Sequence, residues 1–297
     1  MRDGTMPDTN QQQVLSPLLQ SKYETLQRIL RELGSVVIGY SGGVDSTLLL
    51  KVAADELGKN ALAVIGKSET YPSKEYEEAV KVAESFGARY EVVTTEETDN
   101  LKFQENPPDR CYFCKTELFS KLHGIAEQRN IPWIADGTIT DDVGDFRPGM
   151  KAKKEQNVRS PLLEAGMSKA DVREISKYLG LSTWDKGSFA CLASRFPYYF
   201  GITKDALMKV DAAETLFRDL GFKHFRVRHH DDKTARIEVS VEELPRLFDR
   251  ELRDTIVSQL KSLGFTYVTL DLQGYRTGSM NEVLSEQTKA EYQIDKK

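Results

Sequence analysis

A six-residue loop, Ser41-Gly42-Gly43-Val44-Asp45-Ser46, constrains this chain more than any other stretch. It follows the apolar run Val36-Val37-Ile38-Gly39-Tyr40 and opens an apolar-periodic segment over residues 47–57, a pattern that predicts strand, loop, helix. Paired glycines let backbone N–H groups turn inward and approach an anion closely. The helix that follows directs its positive N-terminal end at the same place. Ser41 and Ser46 add hydroxyls, and Asp45 can hold a metal or a phosphate-bound water. No GxxxxGK[ST] string occurs, so this is not a Walker A loop.

The segments around the loop alternate. Residues 21–33 carry apolar side chains at helical spacing and stop at Gly34. Residues 61–66 form a continuous apolar run, as in a strand buried on both faces of a parallel sheet. A helix is expected over 73–86, a strand over 90–93, a loop over 94–108, a long helix over 109–128 and a strand over 132–135. This order predicts an α/β fold with a doubly wound parallel sheet. Ligands of such sheets sit at the carboxyl ends of the strands. The glycine loop, Lys67-Ser68-Glu69 and Asp136-Gly137-Thr138 occupy those ends and should converge on one nucleotide, Gly137 letting adenine or ribose lie against the backbone.

Residues 144–160 are rich in Gly, Pro, Lys and Asp, lack a period and read as a long loop. Ser168-Lys169-Ala170-Asp171 has capping-box spacing and opens a helix. The pattern shifts near Gly201. A helix over 203–220, paired strands over 225–228 and 235–239, a helix over 241–263 and a strand over 265–272 make a smaller C-terminal α+β domain. The boundary falls at about 196–203. The expected parts are a disordered segment 1–16, a nucleotide domain 17–195, a small substrate or oligomerisation domain 196–285 and a polar tail 286–297.

The chain has 297 residues, a net charge of −5 and three cysteines. That charge argues against a broad grip on nucleic acid, which needs a basic footprint. No apolar run approaches the ~18 residues of a membrane span, and the N-terminus lacks a signal-peptide pattern. A cytoplasmic location is expected, and three cysteines there are not a disulfide framework.

Cys111 and Cys114 form C-x-x-C at the start of the long helix, on one side of it, and Cys191 lies far along the chain. A helix N-terminus lowers thiol pKa and favours thiolate ligands. Three readings stay open. The thiols could be buried and inert. They could hold structural zinc, which wants four ligands, although none of the four histidines has zinc-finger spacing to the pair. Or three thiolates could hold a [4Fe–4S] cluster with one iron left open. In the second half, Arg226 and Arg228 alternate on one strand and project from the same face. With Ser194-Arg195 they suit a phosphate, though a solvated surface is the simpler reading.

SGGVDS, DGTITDDVGDFRPGMKA, CLASRFPY, FRVRHHDD with ARIE, and VTLDLQGYRTGSMN together resemble the LarE sulfur transferases, over about residues 20–285. SGGVDS alone resembles the pyrophosphate (PP) loop of the N-type ATP pyrophosphatases, which implies an HUP-like sheet. The resemblance implies use of ATP and Mg²⁺ to adenylate a carboxylate of pyridinium-3,5-biscarboxylate mononucleotide. Sulfur then replaces the activated oxygen, as a step in making the nickel-pincer nucleotide. In one branch a protein cysteine gives up its own sulfur. Anchored on Trp184 and Ser194-Arg195-Phe196-Pro197, that position falls here on Ala190. Cys111, Cys114 and Cys191 instead resemble the cluster-dependent branch, also seen in tRNA thiolation enzymes, so catalytic transfer of sulfide from a [4Fe–4S] cluster is expected, the sulfur donor being unidentified.

By the same resemblance Ser41, Gly42, Gly43, Asp45 and Ser46 hold ATP phosphates, Asp45 through Mg²⁺. Ser68, Gly137 and Thr138 line the nucleotide. Ser194, Arg195, Arg226 and Arg228 take the substrate phosphate, and Asp142, Asp145 and Arg147 lie in a family-like loop. Family members form trimers or hexamers. The competing functions are a tRNA thiolation enzyme and an AMP-forming amide ligase resembling NAD synthetase.

Overall fold

The computed structural model describes residues 14–143, 148–187 and 190–291. The disorder expected of residues 1–13, the positions Asp145 and Arg147, and residues 292–297 of the tail lie outside the described residues. Of the segment expected to be disordered, Leu15 is buried and Ser16 caps the first helix.

The chain opens with α1 (Pro17–Leu33), started by Ser16 and a first-turn proline and stopped at Gly34, whose φ is 69°. There follow β1 (Val36–Gly39), α2 (Val44–Leu57), β2 (Ala61–Lys67), α3 (Ser73–Ser85) and β3 (Tyr90–Thr94). Next come α4 (Leu101–Gln104), α5 (Arg110–Arg129), β4 (Ile134–Ala135), α6 (Gly149–Glu155), α7 (Pro161–Glu164) and α8 (Lys169–Tyr178). The four strands form one parallel sheet in the order β3-β2-β1-β4. Alternation along β1 and β2 divides the core. Val36, Ile38, Ala61, Ala63 and Ile65 face α1, α2, α3 and α8, whereas Val37, Leu62 and Val64 face Phe119, Leu122 and Ala126 of α5. Both faces are covered, which accounts for the unbroken apolar runs. The strand order reverses between β1 and β4, so the glycine loop after β1 and Asp136-Gly137-Thr138 after β4 flank the switch point.

The second layer of structure is α9 (Lys204–Asp219), β5 (Phe225–Asp231), β6 (Thr234–Val239), α10 (Arg250–Ser262) and β7 (Tyr267–Leu270), followed by α11 (Glu286–Glu291). β5 and β6 are antiparallel, and β7 pairs parallel to β6. Phe217, Phe222, Phe225, Val227, Ile237, Leu260 and Phe265 form its core. A seam of Phe103, Phe196, Ile202, Leu207 and Val210 joins it to the first sheet's layer.

Four expectations are corrected. The loop over 94–108 contains α4, where the Asn100 side chain accepts from the Lys102 N–H and Phe103 is fully buried in the seam. The loop over 144–160 contains α6, whose buried Ala152 and Lys153 pack towards α5; tertiary packing, not periodicity, makes this helix. The helix expected over 241–263 is two pieces. Pro245 lacks an N–H, Val241–Phe248 is 3-10, and an extended Asp249 (ψ 132°) starts α10 by accepting from the Leu252 N–H. The hairpin turn is shorter than 229–234, because both strands continue to Asp231 and Thr234.

That last correction buries His229, which stacks on Phe196 (ring centroids 5.1 Å apart) and contacts Phe200 and Phe265. Burial and the charge of Lys209 pull its pKa below the usual value, against Asp232 and Asp231. The unfolded chain binds this proton near pH 6.5, the folded chain only at lower pH. Stability is therefore expected to fall as pH drops below about 6.5 towards the folded value. The difference in Tm between pH 7.5 and 5.5 should be smaller in His229→Phe than in the wild type. An equal difference in both would refute this.

Candidate active site

A cleft of about 600 Å³ opens at the carboxyl end of the parallel sheet. The glycine loop forms its floor: Ser41, Gly43, Asp45 and Ser46 line it. Ser46 is buried, its hydroxyl donating to the Gly43 carbonyl (3.3 Å) and accepting from the Ser41 N–H (3.3 Å), so it braces the loop. The Tyr71 hydroxyl donates to the Ser41 carbonyl (2.9 Å), and burial with nearby Glu75 holds that phenol protonated. Gly42 has φ +62°, and an added Cβ would lie 2.5 Å from the Ala79 Cβ. Among the residues assigned to phosphate, Gly42 does not line the cleft and acts by letting the loop turn against α3.

Gly137 and Thr138 line the opposite wall. Gly137 is required by the fold as well: a Cβ there would lie 2.9 Å from the Ser46 nitrogen and 3.2 Å from the Asp45 carbonyl carbon. Its missing side chain lets the two strand ends meet. Asp136 holds this end in place, accepting from the Thr138 N–H (3.2 Å), the Thr138 hydroxyl (2.7 Å) and the Ser160 hydroxyl (2.5 Å), with the Lys153 ammonium 3.5 Å away. Lys153 also donates to Ser160.

Ser68 lines the third side and donates to Glu97 (2.6 Å), as does Thr70 (2.7 Å). Sequence reasoning missed Glu97, which sits in a polar stretch without any local signal. It is 6% exposed, and its second carboxylate oxygen has no hydrogen-bond partner among the described residues. Lys169 was also missed, although its capping box was legible. It projects from the start of α8 into the cleft, its ammonium 2.9 and 2.7 Å from the two Asp45 carboxylate oxygens.

Cys111, Cys114 and Cys191 all line the same cleft. The expected lowering of thiol pKa is corrected for Cys114. Burial, then the neighbouring Cys191, Glu97 and Cys111, push it well up against the pull of Arg110. Cys114 lies beyond the first three residues of α5 and packs against the Phe103–Phe196 seam, out of reach of the helix-end N–H groups. Among the described residues, no three His, Cys, Asp or Glu side chains stand at metal-holding geometry. The donor set itself suits a soft, thiolate-held group: three thiols facing one cleft with no histidine among the cleft's lining residues.

The four residues assigned to substrate phosphate do not line this cleft. Arg226 and Arg228 do share a face of β5, as their spacing predicts. Arg195, however, is spent within the fold. Its Nε and Nη2 bind the two Glu214 oxygens (2.8 and 2.7 Å), and Nη1 reaches the Ala190 and Cys191 carbonyls (2.9 and 3.1 Å) and the Ser194 hydroxyl (2.7 Å). Ser194 in turn donates to the Cys191 carbonyl (2.9 Å). Arg228 binds Glu238 (2.6 Å), Ser279 (3.1 Å) and the Ser194 carbonyl (3.1 Å). Arg226 lies over the Tyr275 ring, 4.9 Å from its centroid. Burial and the charge of Arg195, with Arg228, lower its pKa against Glu214. No helix among the described residues is long and apolar enough to cross a membrane.

A family profile described as NAD synthase matches residues 18–125, which carry the glycine loop and three of the four strands of the first sheet. An uncharacterized protein of Synechocystis sp. is 43% identical over 90% of this chain and 100% of its own length. The pyridinium-3,5-bisthiocarboxylic acid mononucleotide synthase of Lactiplantibacillus plantarum is 41% identical over 90% of this chain and 96% of its own. An NH₃-dependent NAD⁺ synthetase of Methanococcus aeolicus is 28% identical over 49% of this chain and 59% of its own. The NAD⁺ synthetase match covers about half of the chain, whereas the match to the bisthiocarboxylate synthase covers 90% of it and so runs through both layers, and on that match the chain belongs to the LarE family of PP-loop sulfur transferases.

Proposed function

We propose that this protein is an ATP-dependent sulfur transferase that converts a carboxylate of pyridinium-3,5-biscarboxylic acid mononucleotide into a thiocarboxylate, for nickel-pincer nucleotide synthesis. The observation that carries the proposal is the opening of three thiols into the cleft floored by the glycine loop. The chemistry has two halves. A substrate carboxylate oxygen attacks the α-phosphorus of ATP, the O–P bond to pyrophosphate breaks, and an acyl adenylate forms. A sulfur nucleophile then attacks the acyl carbon, and the C–O bond to AMP breaks. Activation is needed because a carboxylate oxygen leaves poorly and AMP leaves well. Backbone N–H groups at the start of α2 hold the phosphates, and Asp45 would hold Mg²⁺ on them.

Cys111, Cys114 and Cys191 would hold a [4Fe–4S] cluster. When bound, that group supplies a site for sulfide, and so a renewable sulfur nucleophile. Ala190, where a sacrificial cysteine would stand, has none to give. Arg226, over the Tyr275 ring and on the same face of β5 as Arg228, is the residue we keep for the substrate phosphate, because its planar fork suits phosphate oxygens. Arg195 and Arg228 support it from within the fold. A homo-oligomer, trimeric or hexameric, completes the reading.

The test uses anaerobically purified protein with ATP, Mg²⁺, the biscarboxylate mononucleotide and sulfide. Pyrophosphate and AMP should appear with a product carrying sulfur in place of oxygen. An amide product with ammonia would favour the ligase reading, which shares only the first half. Cys114→Ser and Cys191→Ser are each expected to lower thiocarboxylate formation by about 10³-fold or more, while pyrophosphate release stays within a few fold. Equal loss of both steps would place the thiols in adenylation.

A further inference from the structure

Asp45 and Lys169 stand 124 residues apart in sequence and meet in the cleft. The ammonium holds both carboxylate oxygens, at 2.9 and 2.7 Å, so the pair is chelated on the carboxylate side. Both side chains are partly exposed, at 25% for Asp45 and 32% for Lys169. The backbone of Lys169 is held in place. Its N–H donates to Asp141 (2.9 Å), and the preceding Ser168 and following Asp171 are locked in a capping box that Lys22 fastens to α1 (2.6 Å). The ammonium therefore stands on a fixed base.

Its position is the one a divalent cation would take on Asp45, so Lys169 serves as a stand-in cation. Asp141 and Asp142 line the same wall, which makes this the acidic side of the cleft. A hydrated divalent ion would be drawn here, yet Mg²⁺ gives up water reluctantly and needs an open carboxylate oxygen. With both oxygens held, an ion arriving alone must displace the ammonium without offering it a new partner. An ion arriving on a nucleoside triphosphate brings phosphate oxygens for the ammonium to take instead.

We propose that Lys169 keeps Asp45 closed to divalent cations until a nucleoside triphosphate is present, so that metal enters only as its nucleotide complex. The proposal rests on the reading of Asp45 as the metal carboxylate, but not on the identity of the carboxylate substrate or the sulfur source. The consequence is a positive linkage between metal and nucleotide, reciprocal by necessity. It keeps the phosphate floor from being filled by an unproductive ion. Lys169 is thus a positioning residue for the metal.

The test measures Mn²⁺ binding to the full-length protein by electron paramagnetic resonance, without nucleotide and with a non-hydrolysable ATP analogue. Removing a unit positive charge about 3 Å from the carboxylate should tighten nucleotide-free Mn²⁺ binding in Lys169→Met by about tenfold. The enhancement of Mn²⁺ affinity by the analogue should shrink by the same factor. Lys169→Arg, which keeps the charge, should resemble the wild type in the nucleotide-free state. Adding Asp45→Asn to Lys169→Met should remove the gain. Equal nucleotide-free affinity in wild type and Lys169→Met, or a gain that survives Asp45→Asn, would overturn the proposal. Thermal melting of each variant separates these outcomes from misfolding. Since no pyridinium substrate or sulfide is added, failure of thiocarboxylate formation would leave this result standing.

Discussion

Arg195→Ala is expected to cost about 3–5 kcal/mol of stability, which is a large share of the total for a domain. Arg195 is 2% exposed and its partner Glu214 3%. Burial alone would raise the Glu214 carboxyl; the Arg195 charge and hydrogen bonds, with Arg226 and the Val227 N–H, override it and hold the pKa below the usual value. Removing the guanidinium leaves that carboxylate buried without its bidentate partner, with the Val227 N–H (3.1 Å) still donating to it. It also removes the Nη1 donor that the Ala190 and Cys191 carbonyls now share. Urea unfolding of the variant should show a lower midpoint. Arg195→Met combined with Glu214→Leu should recover much of the loss, because replacing both partners removes the unpaired charge. A loss below about 1 kcal/mol in Arg195→Ala would mean the pair is not buried as described. The pH dependence follows the sign of the Glu214 shift. Its contribution is present above the ordinary carboxyl range and is lost as pH falls through the folded value.

The same ion pair shows where sequence reasoning stopped. Ser194-Arg195 read as a phosphate site because arginine forks suit phosphate as well as carboxylate. Nothing local to residue 195 announces Glu214, nineteen positions on. The glycine loop was legible because strand, loop and helix are contiguous there, and the parallel sheet followed from alternation of patterns. That Cys111, Cys114 and Cys191 act together was one of three open readings of the residues, favoured by the resemblance, but the burial that raises the Cys114 thiol was not legible, because Cys114 packs against a seam that includes Phe196, 82 positions on. Lys169 and Glu97 escaped for a related reason. A capping box fixes a helix start but not what its second residue reaches across the fold, and a polar stretch conceals one buried carboxylate among several exposed ones. Helix α6 escaped because its seven residues carry three lysines and little apolar period. Its place is set by α5 beneath it. The LarE-like motifs supplied by resemblance what local physics could not, since they bring together segments more than a hundred residues apart.

Gly42→Ala and Gly137→Ala are expected to lower pyrophosphate release by about 10²-fold or more, each by moving the phosphate floor. The reasons differ and can be separated. At Gly42 the backbone is left-handed (φ +62°), which costs a residue with a Cβ about 1–2 kcal/mol. The new Cβ would also meet the Ala79 Cβ at 2.5 Å and its Cα at 3.0 Å, so α3 or the loop must shift. At Gly137 the left-handed problem does not arise, and the obstacle is backbone: the Ser46 nitrogen at 2.9 Å, its Cα at 3.1 Å and the Asp45 carbonyl carbon at 3.2 Å. Those atoms begin α2 and cannot rotate away as a side chain would, so the β4 end must part from the loop. Gly43→Ala provides the control. Its φ is −77°, and the nearest atom to an added Cβ is the Ser41 hydroxyl at 3.5 Å, an ordinary contact. ATP affinity and pyrophosphate release in Gly43→Ala should stay within about tenfold of the wild type, with the fold intact by circular dichroism. If all three variants lose activity alike, backbone approach to the nucleotide itself, rather than packing of the loop between α3 and β4, sets the requirement for glycine. If Gly137→Ala alone is tolerated, the two strand ends do not meet as tightly as the switch-point geometry requires.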